Sequence, residues 1–241
     1  MMAPPHTDSP WQAEGQEKRR AVQRMFADIA PTYDLLNSLM SFRLHHRWRS
    51  FAVAQLFLKP GDGVLDVCCG TGDFMAPLRR AVGPSGRVAG LNFCLPMLER
   101  VGAKGQNGQV VLGDACALPV ASGSLDGASV GWGIRNVPDI DGAHLELARV
   151  LKPGARFVSL DMAVPNSGLA RRLADVMFRR GIPLMGRLFG KSEAYTYLPE
   201  STQRFMTREQ LADSMRAAGF ADVGFKDLFF GNICVHWGTR S

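Results

Sequence analysis

The strongest indication of the fold lies in the segment Val64-Leu65-Asp66-Val67-Cys68-Cys69-Gly70-Thr71-Gly72-Asp73. Its short apolar run, Val64 to Cys68, stops at a glycine-rich turn, a pattern typical of a buried parallel strand that leads into a helix. Gly70 and Gly72 have no side chains, so the backbone can turn tightly and a ligand can approach it closely. Because ligands of open α/β sheets bind at the carboxyl ends of the strands, we expect a binding site at this turn.

Strand-like and helix-like segments alternate after this turn. The alternation predicts an α/β fold with a doubly wound parallel sheet. Pro165 to Met206 interrupts the rhythm and holds no clear strand. The predicted elements are strand Val64–Cys68, helix Asp73–Val82, strand Arg87–Leu91, helix Pro96–Ala103, strands Gln109–Leu112 and Leu125–Gly131, helix Ile140–Leu151, strand Arg156–Met162, helix Thr207–Ala218, and strands Ala221–Leu228 and Phe230–Trp237.

The chain of 241 residues suits one α/β domain. Residues 1–15 are rich in Pro, His, Ser and Gln, and we predict that they are disordered. Residues 16–241 are expected to form a single domain, with an N-terminal helical cap over 16–58 and a substrate-side insertion over 165–206. The cap contains two predicted helices, Glu17–Ala27 and Arg49–Leu58.

Composition and charge bound the possible functions. A hydrophobic content of 46% is enough for a sizeable core. The net charge of +6 suits an acidic ligand or an anionic surface, although ordinary surface lysines and arginines explain it equally well. The five cysteines show no metal-ligand spacing, so we interpret them as reduced apolar residues. With no apolar run near the ~20 residues of a spanning helix and no secretory signal, we expect a cytoplasmic protein without a nucleic-acid partner.

The turn after the first strand also discriminates between cofactors. A dinucleotide fingerprint needs Gly or Ala at position 75, where this chain has Met75. Asp66 and Asp73 add two carboxylates, which suit a cationic amino-acid group better than a pyrophosphate. The pattern Asp-x-x-x-Gly-x-Gly-Asp resembles motif I of class I S-adenosylmethionine methyltransferases. A structural glycine turn is the alternative.

This resemblance implies a Rossmann-like class I methyltransferase fold with a seven-stranded, mostly parallel sheet and helices on both faces. It also implies S-adenosyl-L-methionine as the cofactor. Asn92 stands where the class normally has an acidic residue for the ribose hydroxyls, and it lacks the charge that strengthens such hydrogen bonds. Asp114 and Ala115 resemble the adenine-contacting pair, with a helix cap as the alternative role for Asp114. The implied cofactor-binding residues are Asp66, Gly70, Thr71, Gly72, Asp73, Asn92, Asp114 and Ala115.

A polar and aromatic segment, Tyr33 to Trp48, precedes the core fold. Taken alone, it is most simply a capping helix pair. Its pattern Y-D-x-x-N-x-x-x-S-x-x-x-H-x-x-W, however, closely resembles the signature of the quinone C-methyltransferases, the demethylmenaquinone and ubiquinone methyltransferase family. Phe26–Ala30 and Gly133–Val137 fit the same family, and the resemblance covers about residues 22–237. Around Arg149–Gly154 a second signature matches at first and then departs at Ala155, Asp161 and Ala163.

The resemblance implies methylation of a ring carbon in a prenylated quinol, which requires no metal. A hydroquinone carbon becomes nucleophilic when a neighbouring hydroxyl loses its proton, so the protein must align two reactants and handle that proton. We expect Arg135 to stabilise the developing phenolate, since a guanidinium stays charged. Tyr33 and His45 are candidates for proton relay or quinol orientation. A structural salt bridge for Arg135 and a structural role for His45 are the alternatives.

A prenyl tail is too apolar to cross water, so the enzyme should meet its substrate at a bilayer. In Gly168 to Lys191, apolar residues recur at helical spacing opposite several arginines. Such a basic amphipathic helix can lie on anionic lipid, or it can serve as a lid packed on the core. We therefore expect peripheral contact with the inner face of the membrane; the oligomeric state is open.

The expected function is conversion of demethylmenaquinol to menaquinol with S-adenosylmethionine. The corresponding ubiquinone-pathway methylation is the near alternative, because no residue can be tied to either ring. A noncatalytic methyltransferase fold that binds lipid or a partner is the alternative from another class. The intact Gly70, Gly72, Asp66, Asp73 and Arg135 argue against it.

Overall fold

The computed structural model describes residues 15–104, 109–165 and 192–241, together with the single positions 168 and 176. Its helices are α1 Gly15–Ile29, α2 Tyr33–Met40, α3 His45–Ala54, α4 Met75–Val82, α5 Leu95–Ala103, α6 Ile140–Val150, α7 Ser192–Arg204 and α8 Arg208–Ala217, with 3-10 turns at Ile134–Asn136 and Phe229–Gly231. Its strands are β1 Gly63–Val67, β2 Arg87–Asn92, β3 Gln109–Leu112, β4 Leu125–Gly131, β5 Leu151–Met162, β6 Phe220–Leu228 and β7 Ile233–Arg240.

The seven strands form one sheet in the order β3-β2-β1-β4-β5-β7-β6. Strands β1 to β5 pair in parallel, and β7 runs antiparallel to both of its neighbours, β5 and β6. The predicted seven-stranded, mostly parallel sheet is therefore confirmed. The strand order reverses between β1 and β4, and a ligand of an open α/β sheet binds at such a switch point.

Alternate side chains of the strands pack into two hydrophobic clusters, one on each face of the sheet. On β1, Val64 joins the cluster that includes α3 and α4, whereas Leu65 and Val67 join the cluster that includes α6 and α8. These strand residues are at most 3% exposed. Because successive strand side chains point to opposite faces, a run buried on both faces needs helices on both sides, as predicted.

Local boundaries differ from the predicted ones where turns intervene. The first strand ends at Val67, because Cys68 adopts a left-handed conformation with φ 57°. β5 begins at Leu151, which pairs with Leu125; the register then shifts, so Lys152–Gly154 forms an irregularity within the strand. β7 begins at Ile233 and not at Phe230, because Phe229 and Phe230 have φ of 46° and 57° in a 3-10 turn.

The polar segment ahead of the core forms two helices, α2 and α3, so the predicted helix Arg49–Leu58 begins earlier, at His45, and ends at Ala54. Leu36 of α2 and Trp48 of α3 join the core cluster beside α4. Helices α2 and α3 thus pack on the same face of the sheet as α4. None of the helices within the described ranges is both long and apolar enough to cross a bilayer.

Two predicted segments lie outside the described residues. They are residues 1–14 of the predicted disordered N-terminus and nearly all of the amphipathic segment Gly168–Lys191. Within the predicted insertion, the described part contains α7, which packs against α1 and the 3-10 turn at Ile134–Asn136.

Candidate active site

The turn between β1 and α4 lies at the switch point of the sheet and bends sharply. Cys68, Gly70 and Gly72 have φ of 57°, 56° and 84°, a region that favours glycine. The amide of Cys69 donates to the carbonyl of Leu91 at 2.9 Å, which ties the turn to the end of β2. A Cβ added at Gly70 would meet nothing within 4 Å, so the space in front of this residue is open.

A cavity of about 660 Å³ opens in front of this turn. The ends of β1, β2, β3 and β4 all contribute to its walls. The predicted cofactor residues among its lining are Gly70, Asn92, Asp114 and Ala115, and the other contributors include Arg19, Phe26, Tyr33, Trp132, Asn136 and Pro138.

A second, smaller cavity of about 290 Å³ adjoins the first. Both are lined by Tyr33, Cys68, Gly70 and Gly131. The smaller cavity adds Arg49, Asp66, Cys69, Thr71, Asp73 and Phe74. The structure thus groups the eight predicted cofactor residues around this one region, with Gly72 in the turn itself, and places Tyr33 where the two cavities meet.

Asp66 is a carboxylate buried at the end of β1, with 1% exposure. Its Oδ1 accepts a hydrogen bond from Ser129 at 2.6 Å, whereas its Oδ2 is buried without a hydrogen-bond partner. Burial raises the pKa of Asp66 to about 7, against the lowering effects of the Ser129 hydrogen bond and the Arg49 charge. A carboxylate kept partly protonated and short of one partner can accept a hydrogen bond from a cationic ligand.

Arg49 on α3 is a site residue that the sequence analysis missed. Its side chain is 4% exposed and forms an ion pair with Asp73 at 2.9 Å. The guanidinium lies 4.7 Å from the ring centroid of Trp132, and its Nε is buried without a hydrogen-bond partner. The available signal was its position directly after Trp48, four residues from His45, which puts both side chains on one helix face.

A polar network joins the helical cap to the turn. The Lys104 ammonium contacts Asp34 at 2.7 Å and Asp73 at 2.8 Å, and it donates to the Thr71 hydroxyl at 2.9 Å. Thr71 in turn donates to Asp34 at 2.6 Å. Burial acts to raise the pKa of Asp73, but Arg49 and Lys104 outweigh it and hold that pKa below its usual value. Two cations therefore already neutralise Asp73, which leaves Asp66 as the carboxylate available to a ligand.

Asn92 and Asp114 occupy the far wall of the larger cavity. The Asn92 Oδ1 accepts a hydrogen bond from the Cys94 amide at 2.9 Å, a bond that an aspartate could equally accept. The Asp114 Oδ1 accepts from the Cys116 amide at 3.0 Å, and its Oδ2 pairs with Arg19 of α1 at 2.5 Å. Arg19 was not anticipated, because it approaches from a helix 95 residues earlier in the chain.

The three predicted catalytic residues lie in different surroundings. Tyr33 lines both cavities, and burial raises the pKa of its phenol, against the lowering effects of an Asn37 hydrogen bond and the charges of Arg49 and Arg135. His45 lines neither cavity. It is 3% exposed and contacts Arg49 through Nδ1, and burial together with Arg49 lowers its pKa to about 4. The imidazole is therefore neutral near pH 7.

Arg135 is 7% exposed and stands behind the cavity wall, between Gly133 and Asn136, which line the larger cavity. It forms a buried ion pair with Asp161 on β5, and its Nε has no hydrogen-bond partner. Burial raises the pKa of Asp161, against the Arg135 charge. The structural salt bridge weighed for Arg135 is thus present, although its charge still acts on the phenol of Tyr33.

The cysteines and metal-binding groups add no further site. All five cysteines have free thiols, and burial raises the pKa of Cys68, which lines both cavities, to about 12. Within the described part of the chain, no group of three or more His, Cys, Asp or Glu side chains could hold a metal ion.

Comparison with known proteins places the chain in a family. The pattern of the ubiE/COQ5 methyltransferase family matches residues 13–240. A demethylmenaquinone methyltransferase of Geobacillus stearothermophilus is 41% identical over 231 residues, covering 93% of this chain and 99% of that relative. A second, from Lactiplantibacillus plantarum, is 39% identical over 226 residues, covering 91% and 95%.

Solved structures agree on the fold. A SAM-dependent methyltransferase of Thermotoga maritima, described as a possible histamine N-methyltransferase, has a TM-score of 0.66 at 22% identity and covers 91% of this chain and 99% of that one. A SAM-dependent methyltransferase from Aquifex aeolicus has a TM-score of 0.61 at 18% identity, covering 86% and 98%. The predicted class I methyltransferase fold is thereby confirmed. The chain belongs to the ubiE/COQ5 methyltransferase family.

Proposed function

We propose that this methyltransferase uses S-adenosylmethionine to methylate a ring carbon of a prenylated demethylmenaquinol. Two relatives at 41% and 39% identity carry the name demethylmenaquinone methyltransferase, which favours this reaction over the ubiquinone-pathway alternative. The observation that carries the proposal is the position of Tyr33. It lies where the two cavities meet, so its phenol borders the space that we assign to the cofactor, and we place the quinol ring beside it.

The smaller cavity fits the amino-acid end of the cofactor. It contains a carboxylate oxygen without a partner, Oδ2 of Asp66, and a guanidinium nitrogen without a partner, Nε of Arg49. An α-amino group and an α-carboxylate require one acceptor and one donor of these kinds. We assign Asp66 to the amino group and Arg49 to the carboxylate, with Asp73 and Thr71 holding Arg49 and the turn in place.

The larger cavity fits the nucleoside end. Asn92 would bond the ribose hydroxyls, and Asp114 with Ala115 would contact the adenine. Gly70 leaves open the space that a side chain would fill, which is what close passage of a ligand over the turn needs. When bound, the cofactor supplies an electrophilic sulfonium methyl group.

Electrostatics at Tyr33 explain how the protein could activate a quinol. Arg49 and Arg135 both favour the anionic form of the Tyr33 phenol. A quinol hydroxyl placed beside that phenol would experience the same two positive charges, partly offset by Asp73. Because the ortho carbon of a phenolate has more electron density than that of a neutral phenol, favouring ionisation raises the fraction of quinol whose carbon can attack the methyl group. Buried charges act strongly there, since little water screens them.

The three catalytic candidates then take distinct roles. Tyr33 stays a neutral phenol near pH 7, so it donates a hydrogen bond to the quinol oxygen and orients it. Arg135 supplies positive charge from behind the wall, held by Asp161. His45 holds the guanidinium of Arg49 as a neutral acceptor, which makes it a positioning residue.

The prenyl tail requires access to lipid. We propose that the protein works in the cytoplasm as a peripheral protein at the inner face of the membrane, where prenylated quinols reside. The basic amphipathic pattern of Gly168–Lys191 supports this proposal at the level of sequence.

Methyl transfer to a panel of short-tail, water-soluble quinols tests the proposal. We expect turnover with a demethylated naphthoquinol and little with a demethylated benzoquinol, together with measurable calorimetric binding of S-adenosylmethionine. Preference for the benzoquinol would transfer the assignment to the ubiquinone pathway. Failure to bind S-adenosylmethionine would instead favour the noncatalytic alternative.

A further inference from the structure

Helix α2 presents an apolar stripe to the outside of the molecule. Leu35, Leu39 and Phe42 are 54%, 46% and 76% exposed. Leu35 and Leu39 are four residues apart and therefore share one side of the helix, and Phe42 lies in the turn that follows. Leu36, next to Leu35, is buried. Three large apolar side chains close together on the surface form a patch that can contact a partner, whereas scattered single ones need no such explanation. We refer to these three residues as the α2 stripe.

The turn that ends α2 is held in an unusual backbone conformation. Phe42 and Arg43 have φ of 49° and 61°, the left-handed region that L-residues with side chains rarely adopt. Hydrogen bonds from the Arg43 amide to the Ser38 carbonyl at 2.9 Å and from the Ser41 hydroxyl to the Asn37 carbonyl at 2.6 Å fix the turn. The fold therefore holds an exposed phenylalanine next to an exposed arginine at a conformational cost.

Positive charge borders the stripe. Arg43 and Arg47 are exposed, and in the described ranges neither guanidinium forms an ion pair with a carboxylate. The sequence contains no Asp or Glu between Asp34 and Asp62. An apolar stripe with an arginine rim and no acidic neighbour along the chain is complementary to a surface with an apolar interior and anionic headgroups.

We propose that the α2 stripe, with Arg43 and Arg47, docks the protein on an anionic lipid bilayer. The inference rests on the proposed function, because a prenylated quinol gives the enzyme a reason to meet lipid. The site lies close by, since Tyr33, the first residue of α2, lines both cavities. Docking through α2 would set Tyr33 and the two cavities beside the bilayer from which the prenyl tail emerges.

Sedimentation with vesicles of phosphatidylcholine and phosphatidylglycerol tests this surface. Phe42→Asp should lower the partition coefficient onto vesicles by roughly tenfold or more. This factor is expected when one large apolar side chain is no longer transferred from water into lipid. The double variant Arg43→Gln/Arg47→Gln should bind mixed vesicles more weakly than the wild type, and the binding that remains should no longer depend on the phosphatidylglycerol content. Leu145→Asp is the matched control, because Leu145 is 56% exposed on α6, which packs on the other face of the sheet.

Turnover separates docking from catalysis. Phe42→Asp should keep wild-type turnover on a short-tail quinol in solution and lose it on a long-tail quinol embedded in vesicles. The proposal is overturned if the wild-type protein does not bind vesicles, or if Phe42→Asp and Leu145→Asp bind equally. A loss of short-tail turnover in folded Phe42→Asp would place the α2 stripe at the catalytic site, and a smaller oligomer in this variant than in the wild type would make the stripe a contact between copies. Either result would overturn the proposal. Vesicle binding is measured without turnover, so the test of the docking surface remains valid even if the quinol assignment is wrong.

Discussion

The substitution Asp66→Asn should raise the stability of the protein while it weakens cofactor binding. Asp66 is 1% exposed, and its Oδ2 has no hydrogen-bond partner. The amide oxygen of an asparagine can still accept the hydrogen bond that Ser129 donates at 2.6 Å. Because burial raises the pKa of Asp66 from 3.8 to about 7, folding works against ionisation of this carboxyl group.

The magnitude follows from that difference in pKa. The change from 3.8 to about 7 corresponds to roughly 4 kcal/mol at or above about pH 8, since each pKa unit is worth about 1.4 kcal/mol. A carboxyl pKa raised by folding gives stability that is present below the unfolded pKa and is lost as the pH rises through the folded pKa. The asparagine side chain of the variant would leave one amide donor unpaired, so we expect a net gain of about 2–3 kcal/mol at about pH 8.

Urea unfolding of both proteins at two pH values measures this effect. At about pH 5 the difference in free energy of unfolding between variant and wild type should be smaller by about 2–3 kcal/mol. At that pH the wild type has lost only part of the stability that it loses by about pH 8. Asp126→Asn is the matched control with the opposite sign. Burial acts to raise the pKa of Asp126, but Gly63 and Lys152 hold it below its usual value, so removing this carboxylate should destabilise the protein more at the higher pH.

Calorimetry gives the second half of the prediction. A hydrogen bond to a charged group is worth about 1.5–3 kcal/mol, so Asp66→Asn should weaken binding of S-adenosylmethionine by roughly 10- to 100-fold. A variant no more stable than the wild type at about pH 8 would refute the burial argument. A variant that binds the cofactor normally would mean that another group holds its amino nitrogen.

Three further outcomes are expected. Arg135→Met should lower turnover by about 10²–10³ with little change in cofactor affinity, and near-normal turnover would remove Arg135 from the mechanism. The variant should also lose ~3 kcal/mol of stability, because the Asp161 carboxylate is left buried without its partner. Adding Asp161→Asn should restore part of that stability but not the rate. Asn92→Ala should weaken cofactor binding by about 1–3 kcal/mol, whereas Asn92→Asp should keep or tighten it; an alanine variant with unchanged affinity would assign the ribose to another residue. In the Asp66→Asn background, denaturation at a series of pH values should show stability falling as the pH drops from about 6.5 to about 4. Burial lowers the pKa of His45, His144 and His236 to about 4, so the unfolded chain takes up these protons first; a flat profile would contradict this.

Local sequence patterns predicted the elements that local forces decide. The strands Gln109–Leu112 and Leu125–Gly131 have the predicted boundaries, because their apolar runs end at turn residues. The turn from Asp66 to Asp73 was predicted as the ligand site, since glycines at fixed spacing permit the conformation that a close ligand requires. The start of β7 was missed because nothing in the sequence marks Phe229 and Phe230 for a left-handed turn.

The family signature from Tyr33 to Trp48 identified the candidate quinol region, but it did not show which of its residues face the cavities. Tyr33 does, whereas His45 lies behind Arg49. Helical spacing alone leaves the rotation of a helix undecided, and only packing of Leu36 and Trp48 against the core sets that rotation.

The fold class and the family could be predicted from residues close together along the chain, and the turn from Asp66 to Asp73 is predicted to bind the cofactor from the same kind of local pattern. The tertiary structure alone decided the charge balance of the site. Arg49, Lys104 and Arg19 reach the site residues Asp73 and Asp114 from helices 24 to 95 residues away. Coulomb energy and desolvation depend on distance and burial in space, so the unequal states of Asp66 and Asp73, two carboxylates in one motif, arise only when the chain is folded.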